Sequence, residues 1–145
     1  MSKETKPSVE LRIPILKDME LVATNTADVI AKYMELSEEA SGEISMALIE
    51  ATINAFEHSE SQKDIFINFT ISDDELTIKV IDKGKGFDSE GIQIPDIDSK
   101  LKKQERKRGW GVMLIKELMD SVDYESGNDG TTLTMTKKKK NEQDN

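Results

Sequence analysis

The stretch ALIEATINAFEH, residues 47–58, is apolar almost throughout, yet Glu50, Asn54 and His58 interrupt it four residues apart. Four residues are little more than one α-helical turn, so these three side chains stand one above another along a single strip of a helix. Met46, Ile49, Ile53 and Phe56 fall along one flank of that helix, and Ile44, Leu48, Ala51 and Ala55 cover an adjoining one. Most of the circumference is therefore apolar, and an ionised carboxylate next to a partly water-excluded surface costs free energy unless something pairs with it. Two readings are open. Glu50 pairs with a lysine or a backbone amide, Asn54 caps a neighbouring loop and His58 ends the helix; or Glu50 takes a proton, and the Asn54 side-chain oxygen, a hard neutral donor, coordinates a magnesium ion carrying phosphates.

The segments around this helix predict a mixed fold. Residues 1–8 are polar and read as a flexible N-terminus, and Val9, Leu11, Ile13 and Ile15 alternate as a strand ending near Pro14. A helix is expected from Asp18, as its cap, to Leu36, with Leu21, Val22, Ala27, Val29, Ile30, Tyr33 and Met34 as its apolar stripe. The second helix opens at Ser41, with Ser37 to Ala40 as a turn or an earlier helical turn, and runs to about Ser59. Ile65, Ile67, Phe69 and Ile71 alternate, SDDE turns the chain, and Leu76, Ile78 and Val80 alternate again, the pattern of an antiparallel hairpin.

Residues 88–108 form a charged stretch with little periodicity, long for a connection in a compact domain and so read as a lid. A third amphipathic helix spans Gly109 to Ser121, and a last hairpin pairs Val122 to Glu125 with Thr131 to Thr136 through SGNDG. KKKKNEQDN, residues 137–145, reads as a solvated tail. The sum is one domain over residues 9–136: an α+β, two-layer α/β sandwich with a mostly antiparallel sheet and about three helices on one face.

Composition bounds the chemistry. At 145 residues the chain is long enough for one core. A net charge of −9, from 29 acidic against 20 basic residues, repels nucleic acid and anionic membranes, so no direct nucleic acid and no membrane partner is expected. The sequence has no cysteine and one histidine, which removes thiolate chemistry and multi-histidine metal sites. MSKETKPSVE lacks an apolar signal core, no apolar run approaches the ~20 residues of a membrane helix, and a cytoplasmic location is expected.

Two glycine motifs bear on the open question. VIDKGKGFD puts Asp82 at the end of an apolar strand with Gly84 and Gly86 just beyond, where a backbone without side chains can turn sharply or approach a ligand. A buried carboxylate there, being acceptor-only, matches the exocyclic amino group of adenine and repels the carbonyl of guanine; a plain turn is the alternative. KRGWGVMLIKEL places Gly109 and Gly111 where a helix begins, so free backbone N–H groups and the positive end of the helix dipole face the preceding loop, a seat for phosphate. Lys107 and Arg108 adjoin it and supply local positive charge, whereas an ordinary glycine-containing helix start remains the other reading.

Together, EATINAFEH, DKGKGF and RGWG resemble, in order and spacing, the N box and two glycine boxes of the ATP-binding family of DNA gyrase, heat-shock chaperones, histidine kinases and mismatch-repair ATPases, over about Val9 to Thr136. Within that GHKL family the form E-A-x-x-N-A-x-x-H and the short chain resemble the bacterial anti-sigma-factor serine/threonine kinases. Trp110 between the second-box glycines and the lysine-rich lid depart from the usual pattern.

The resemblance implies the Bergerat ATP-binding fold, with ATP and Mg2+ as cofactors. It implies adenine against Asp82, magnesium on Asn54, and Glu50 as the catalytic base for a serine or threonine hydroxyl of an anti-sigma-factor antagonist protein. Gly84, Gly86, Gly109 and Gly111 are implied to line the nucleotide; Lys107 and Arg108 are candidate phosphate ligands beside them, Arg108 for the γ-phosphate, and His58 either braces the helix end, the favoured role, or lines the site. A sigma factor is the second implied partner, captured again once the phosphorylated antagonist leaves. A homodimer through sheet and helix surfaces is compatible with the resemblance. A non-catalytic ATP-sensing partner-binding module and an ATPase of the same fold are the alternatives, because the same glycines serve all three.

Overall fold

The computed structural model describes residues 6–58, 64–82, 111–127 and 130–140. Five strands form one sheet in the order β1-β2-β3-β5-β4: β1 (Ser8–Pro14), β2 (Asp64–Ile71), β3 (Glu75–Asp82), β4 (Ser121–Gly127) and β5 (Gly130–Lys138). Every neighbouring pair is antiparallel. Helices α1 (Glu20–Tyr33) and α2 (Glu38–His58) precede β2, and α3, residues 111–118, precedes β4. The expected two-layer α+β sandwich with three helices is the observed architecture.

Period-two alternation decides which side of the sheet the helices cover. Ile65, Ile67 and Phe69 of β2, Leu76, Ile78 and Val80 of β3, and Leu133 and Met135 of β5 are buried, while their sequence neighbours are not. The register joins these rows across the sheet, pairing Ile67 with Val80, Phe69 with Ile78, Ile78 with Met135 and Val80 with Leu133. Ile44, Ala47, Leu48, Ala51 and Ala55 of α2 and Ile115 and Met119 at α3 complete one core with them. Each large aliphatic chain so buried contributes about 1.5–3 kcal/mol against conformational entropy.

Several local details differ from the sequence expectation. Asp18 does not cap α1: it lies before the helix with φ 69°, and Met19 occupies the cap position without a side-chain hydrogen bond. The stripe on α1 is phased differently too. Ala23, Ala27 and Ala31, with Thr24, Ile30 and Met34, face inward, whereas Leu21, Val22, Val29 and Tyr33 are exposed. Small side chains at that four-residue interval let α1 lie close against α2, which a count of large apolar residues overlooks.

α1 ends in a Schellman motif. The Leu36 N–H donates to the Ala31 carbonyl at 3.0 Å and the Glu35 N–H to the Lys32 carbonyl at 3.0 Å, with Glu35 in the left-handed region at φ 60°. α2 starts earlier than Ser41, at Glu38, because Ser37 caps it: its Oγ accepts from the Ala40 N–H at 3.0 Å.

On α2 the inward face is the Ile44, Leu48, Ala51 and Ala55 side, while Met46 on the other flank is 54% exposed. The last strand runs further than Thr136. Lys137 and Lys138 belong to β5, and Lys137, in the inward row after Leu133 and Met135, is buried rather than part of a solvated tail. The lid expected at 88–108 lies outside the described residues.

Candidate functional site

The site is built where α2, α3 and the ends of β3 and β5 meet. α2 is 21 residues long and carries Glu50 and Asn54 in its second half, one turn apart and both half-buried. α3 brings Gly111 against them. A methyl group on Gly111 would lie 2.6 Å from Asn54 Nδ2 and 2.9 Å from Glu50 Oε2, closer than real side chains come, and a tight 3.3 Å from Glu50 Cγ. Glycine is needed here for close approach, so the backbone at the first described residue of α3 touches the two polar side chains that interrupt α2.

Asp82 arrives from the sheet. It is the last residue of β3 and falls in the inward row after Leu76, Ile78 and Val80, so period two places a carboxylate at the end of an apolar line, only 4% exposed. A cleft opens beside it, with Asp82, Asn54 and Thr131 as polar groups and Val80, Val112 and Leu133 among its apolar walls. Ala51 and Ala55 of α2 also line it, and their small side chains leave the space between helix and sheet open. An apolar lining with a few fixed polar groups is the chemistry of a site for a heterocycle that presents hydrogen-bonding edges.

Of the residues expected from sequence, Glu50, Asn54, Asp82 and Gly111 are brought together: Asn54 lines the cleft with Asp82 and also meets Gly111, beside Glu50. Gly84, Gly86, Lys107, Arg108 and Gly109 lie outside the described residues. His58 is the last residue of α2.

Thr131 was not singled out by sequence. It is the β5 register partner of Asp82, is itself buried, and its Oγ1 lies 3.3 Å from Ser126 Oγ. Its signal was faint: in TTLTMT the threonines occupy both faces, and although period two puts Thr131 on the face of Leu133 and Met135, only the pairing with β3 shows that it sits opposite Asp82.

The donor set suits magnesium delivered with a nucleotide. Among the described residues there is no group of three or more histidine, cysteine, aspartate or glutamate side chains placed to hold a metal. Mg2+ bound with phosphates needs only one or two protein oxygens and keeps waters and phosphate oxygens for the rest. The Asn54 side-chain oxygen, beside the Gly111 backbone and the Glu50 carboxylate, fits that requirement, since turning the amide exchanges its oxygen and nitrogen.

Residues 16–137 match the histidine kinase-like ATPase domain family. The chain is 30% identical over 142 residues to the serine-protein kinase RsbW of Bacillus pumilus, covering 92% of this chain and 87% of that one. It is 31% identical over 133 residues to the anti-sigma F factor of Caldanaerobacter subterraneus, covering 89% and 92%. The fold resembles the crystal structure of the RsbU and RsbW domains of a Mycobacterium tuberculosis protein, with a TM-score of 0.69 and 16% identity over 93% of this chain and 33% of that one.

Proposed function

From the premise that this chain belongs to the histidine kinase-like ATPase domain family, we propose that it is an ATP-dependent protein serine/threonine kinase that acts as an anti-sigma factor. Its relatives along nearly their whole length carry the names serine-protein kinase and anti-sigma F factor, which supports both halves of that reading. The single observation that carries it is the convergence of Glu50, Asn54 and Gly111, because a carboxylate, a neutral oxygen donor and a bare backbone meet at one end of the Asp82 cleft.

Asp82 accepts a hydrogen bond from the exocyclic amino group of adenine, with Thr131 beside it, and Val80, Val112 and Leu133 exclude water from the ring. Gly111 lets the phosphates approach the α3 backbone without a side chain in the way. Asn54 would hold a magnesium ion arriving with the nucleotide, which would supply neutralisation of phosphate charge. Glu50 orients the hydroxyl of an incoming serine or threonine and takes its proton as oxygen attacks the γ-phosphorus; the bond to the leaving ADP oxygen breaks in line. Positioning supplies most of the acceleration, since phosphoryl transfer asks little covalent help of the protein.

The protein substrate is an anti-sigma-factor antagonist, and phosphorylation releases it so that a sigma factor is bound again. Lys107, Arg108, Gly84, Gly86 and Gly109 complete the nucleotide contacts, and action in the cytoplasm fits a chain in which no described helix is long and apolar enough to cross a membrane. Incubation with γ-labelled ATP and candidate antagonists tests the reading. Label on a serine or threonine of one antagonist is expected; ATP turnover with label appearing only as free phosphate would make the protein an ATPase instead.

A further inference from the structure

Lys137 is an unusual lysine. It lies in the inward row of β5, 7% exposed, as the register partner of Leu76. Its Nζ donates to Glu43 Oε1 at 2.7 Å and to the Leu118 carbonyl oxygen at 2.5 Å. Glu43 precedes Glu50 on α2 by seven residues, about two turns, so both project from the same side of that helix. Leu118 ends α3, where the carbonyls lack intrahelical partners and the dipole is negative, so a cation is favoured there. One ammonium group thus joins α2 to the C-terminal end of the helix that carries Gly111.

We propose that Lys137 is a positioning residue for the nucleotide site, holding α3 against α2 so that Gly111 stays in register with Glu50 and Asn54. The proposal rests on the reading of those three residues as the phosphate end of the site. Geometry sets how much movement matters. Gly111 lies about 10 Å along the helix from Leu118 at 1.5 Å per residue, so a swing of about 10° about the Leu118 end carries Gly111 by about 2 Å. The approach at Gly111 is close, since a methyl group there would displace the ends of the Asn54 and Glu50 side chains, so a shift of that size changes how those two side chains meet the α3 backbone.

The α3 exit has other anchors. The Asp120 N–H donates to the Thr136 carbonyl at 2.9 Å and the Lys138 N–H to Asp120 Oδ2 at 2.6 Å, so loss of the Lys137 ammonium loosens the helix without detaching it. Isolated helices of this length are marginal in water, which makes such an anchor effective.

The test compares Lys137→Met, Lys137→Arg and a remote core control, Ile13→Val, in the full chain. Loss of a charge-assisted hydrogen bond predicts amide hydrogen exchange in residues 113–118 about tenfold faster in Lys137→Met, and a Kd for magnesium-ATP raised about tenfold, both measured well below Tm. Lys137→Arg restores both in large part, and Ile13→Val changes neither. A Lys137→Met protein with wild-type exchange in α3 overturns the tether; faster exchange with unchanged Kd overturns its link to the site. Should Lys137→Met not fold, Glu43→Gln carries the same comparison from the partly exposed end of the pair. If the wild-type chain binds no ATP, the nucleotide reading fails by itself, while the exchange comparison still decides the tether.

Discussion

Asp82 and Thr131 face each other across the β3–β5 ladder at its cleft end, both buried and both on the helix side of the sheet. On the proposed reading a carboxylate in that position discriminates between purines because it can only accept: adenine offers it an amino group and guanine a carbonyl. Asp82→Asn supplies a donor as well. The expected result is a loss of ATP affinity of about ten- to a hundredfold, from a charged hydrogen bond of about 1.5–3 kcal/mol, and a narrower preference for ATP over GTP. Calorimetric titration with both nucleotides measures it; an unchanged preference would remove Asp82 from the adenine site.

Gly111→Ala separates binding from stability. Alanine is the better helix former by about 1 kcal/mol, and α3 is helical at that position, so propensity alone predicts a slightly more stable protein. The new methyl instead meets Asn54 and Glu50 at distances those side chains relieve only by turning away. The expected outcome is a Tm within a few degrees of wild type with ATP binding weakened at least about tenfold. Nucleotide affinity and thermal unfolding measured on one preparation decide it, and wild-type affinity would show that Glu50 and Asn54 are free to move.

The sheet and α2 were legible because their signals were periodic. Ile65, Ile67 and Phe69 and then Leu76, Ile78 and Val80 alternate without interruption, and the polar strip of Glu50 and Asn54 stands out against an apolar helix. α1 was misphased because hydropathy weighs side-chain size. Its inward face is Ala23, Ala27 and Ala31, and its large residues Val29 and Tyr33 are 68% and 74% exposed. Lys137 was hidden in a run of four lysines that reads as a solvated tail; once β5 continues to Lys138, the alternation of Leu133 and Met135 carries Lys137 inward. Thr131 was hidden among threonines on both faces. What the local pattern lacked was the packing partner for α1, the length of β5 for Lys137 and the pairing with Asp82 for Thr131.

Close packing of α1 predicts opposite outcomes for two substitutions. Ala27 is 1% exposed, so Ala27→Leu adds volume where none is free and should destabilise by about 1–3 kcal/mol. Glu35 sits in the left-handed region at the end of the Schellman motif, and Glu35→Gly should stabilise by about 1 kcal/mol by relieving the steric penalty on its Cβ. Urea unfolding of both variants checks the pair. Near-neutral Ala27→Leu would mean that the α1–α2 contact yields.

Glu50→Gln tests the chemistry itself. The substitution keeps the shape of the side chain, so the space beside Asn54 and Gly111 is preserved, but an amide cannot take a proton from a serine hydroxyl. Nucleotide affinity should remain within about threefold of wild type, because Asp82 and the backbone at Gly111 are unaltered. Phosphotransfer to the antagonist should fall by about 10²–10⁴, the usual contribution of a positioned base. Single-turnover transfer from saturating ATP isolates that step from binding and release. Transfer at the wild-type rate would remove Glu50 as the base and leave it as a group that only orders the site, whereas loss of binding together with transfer would place its charge among the magnesium or phosphate contacts.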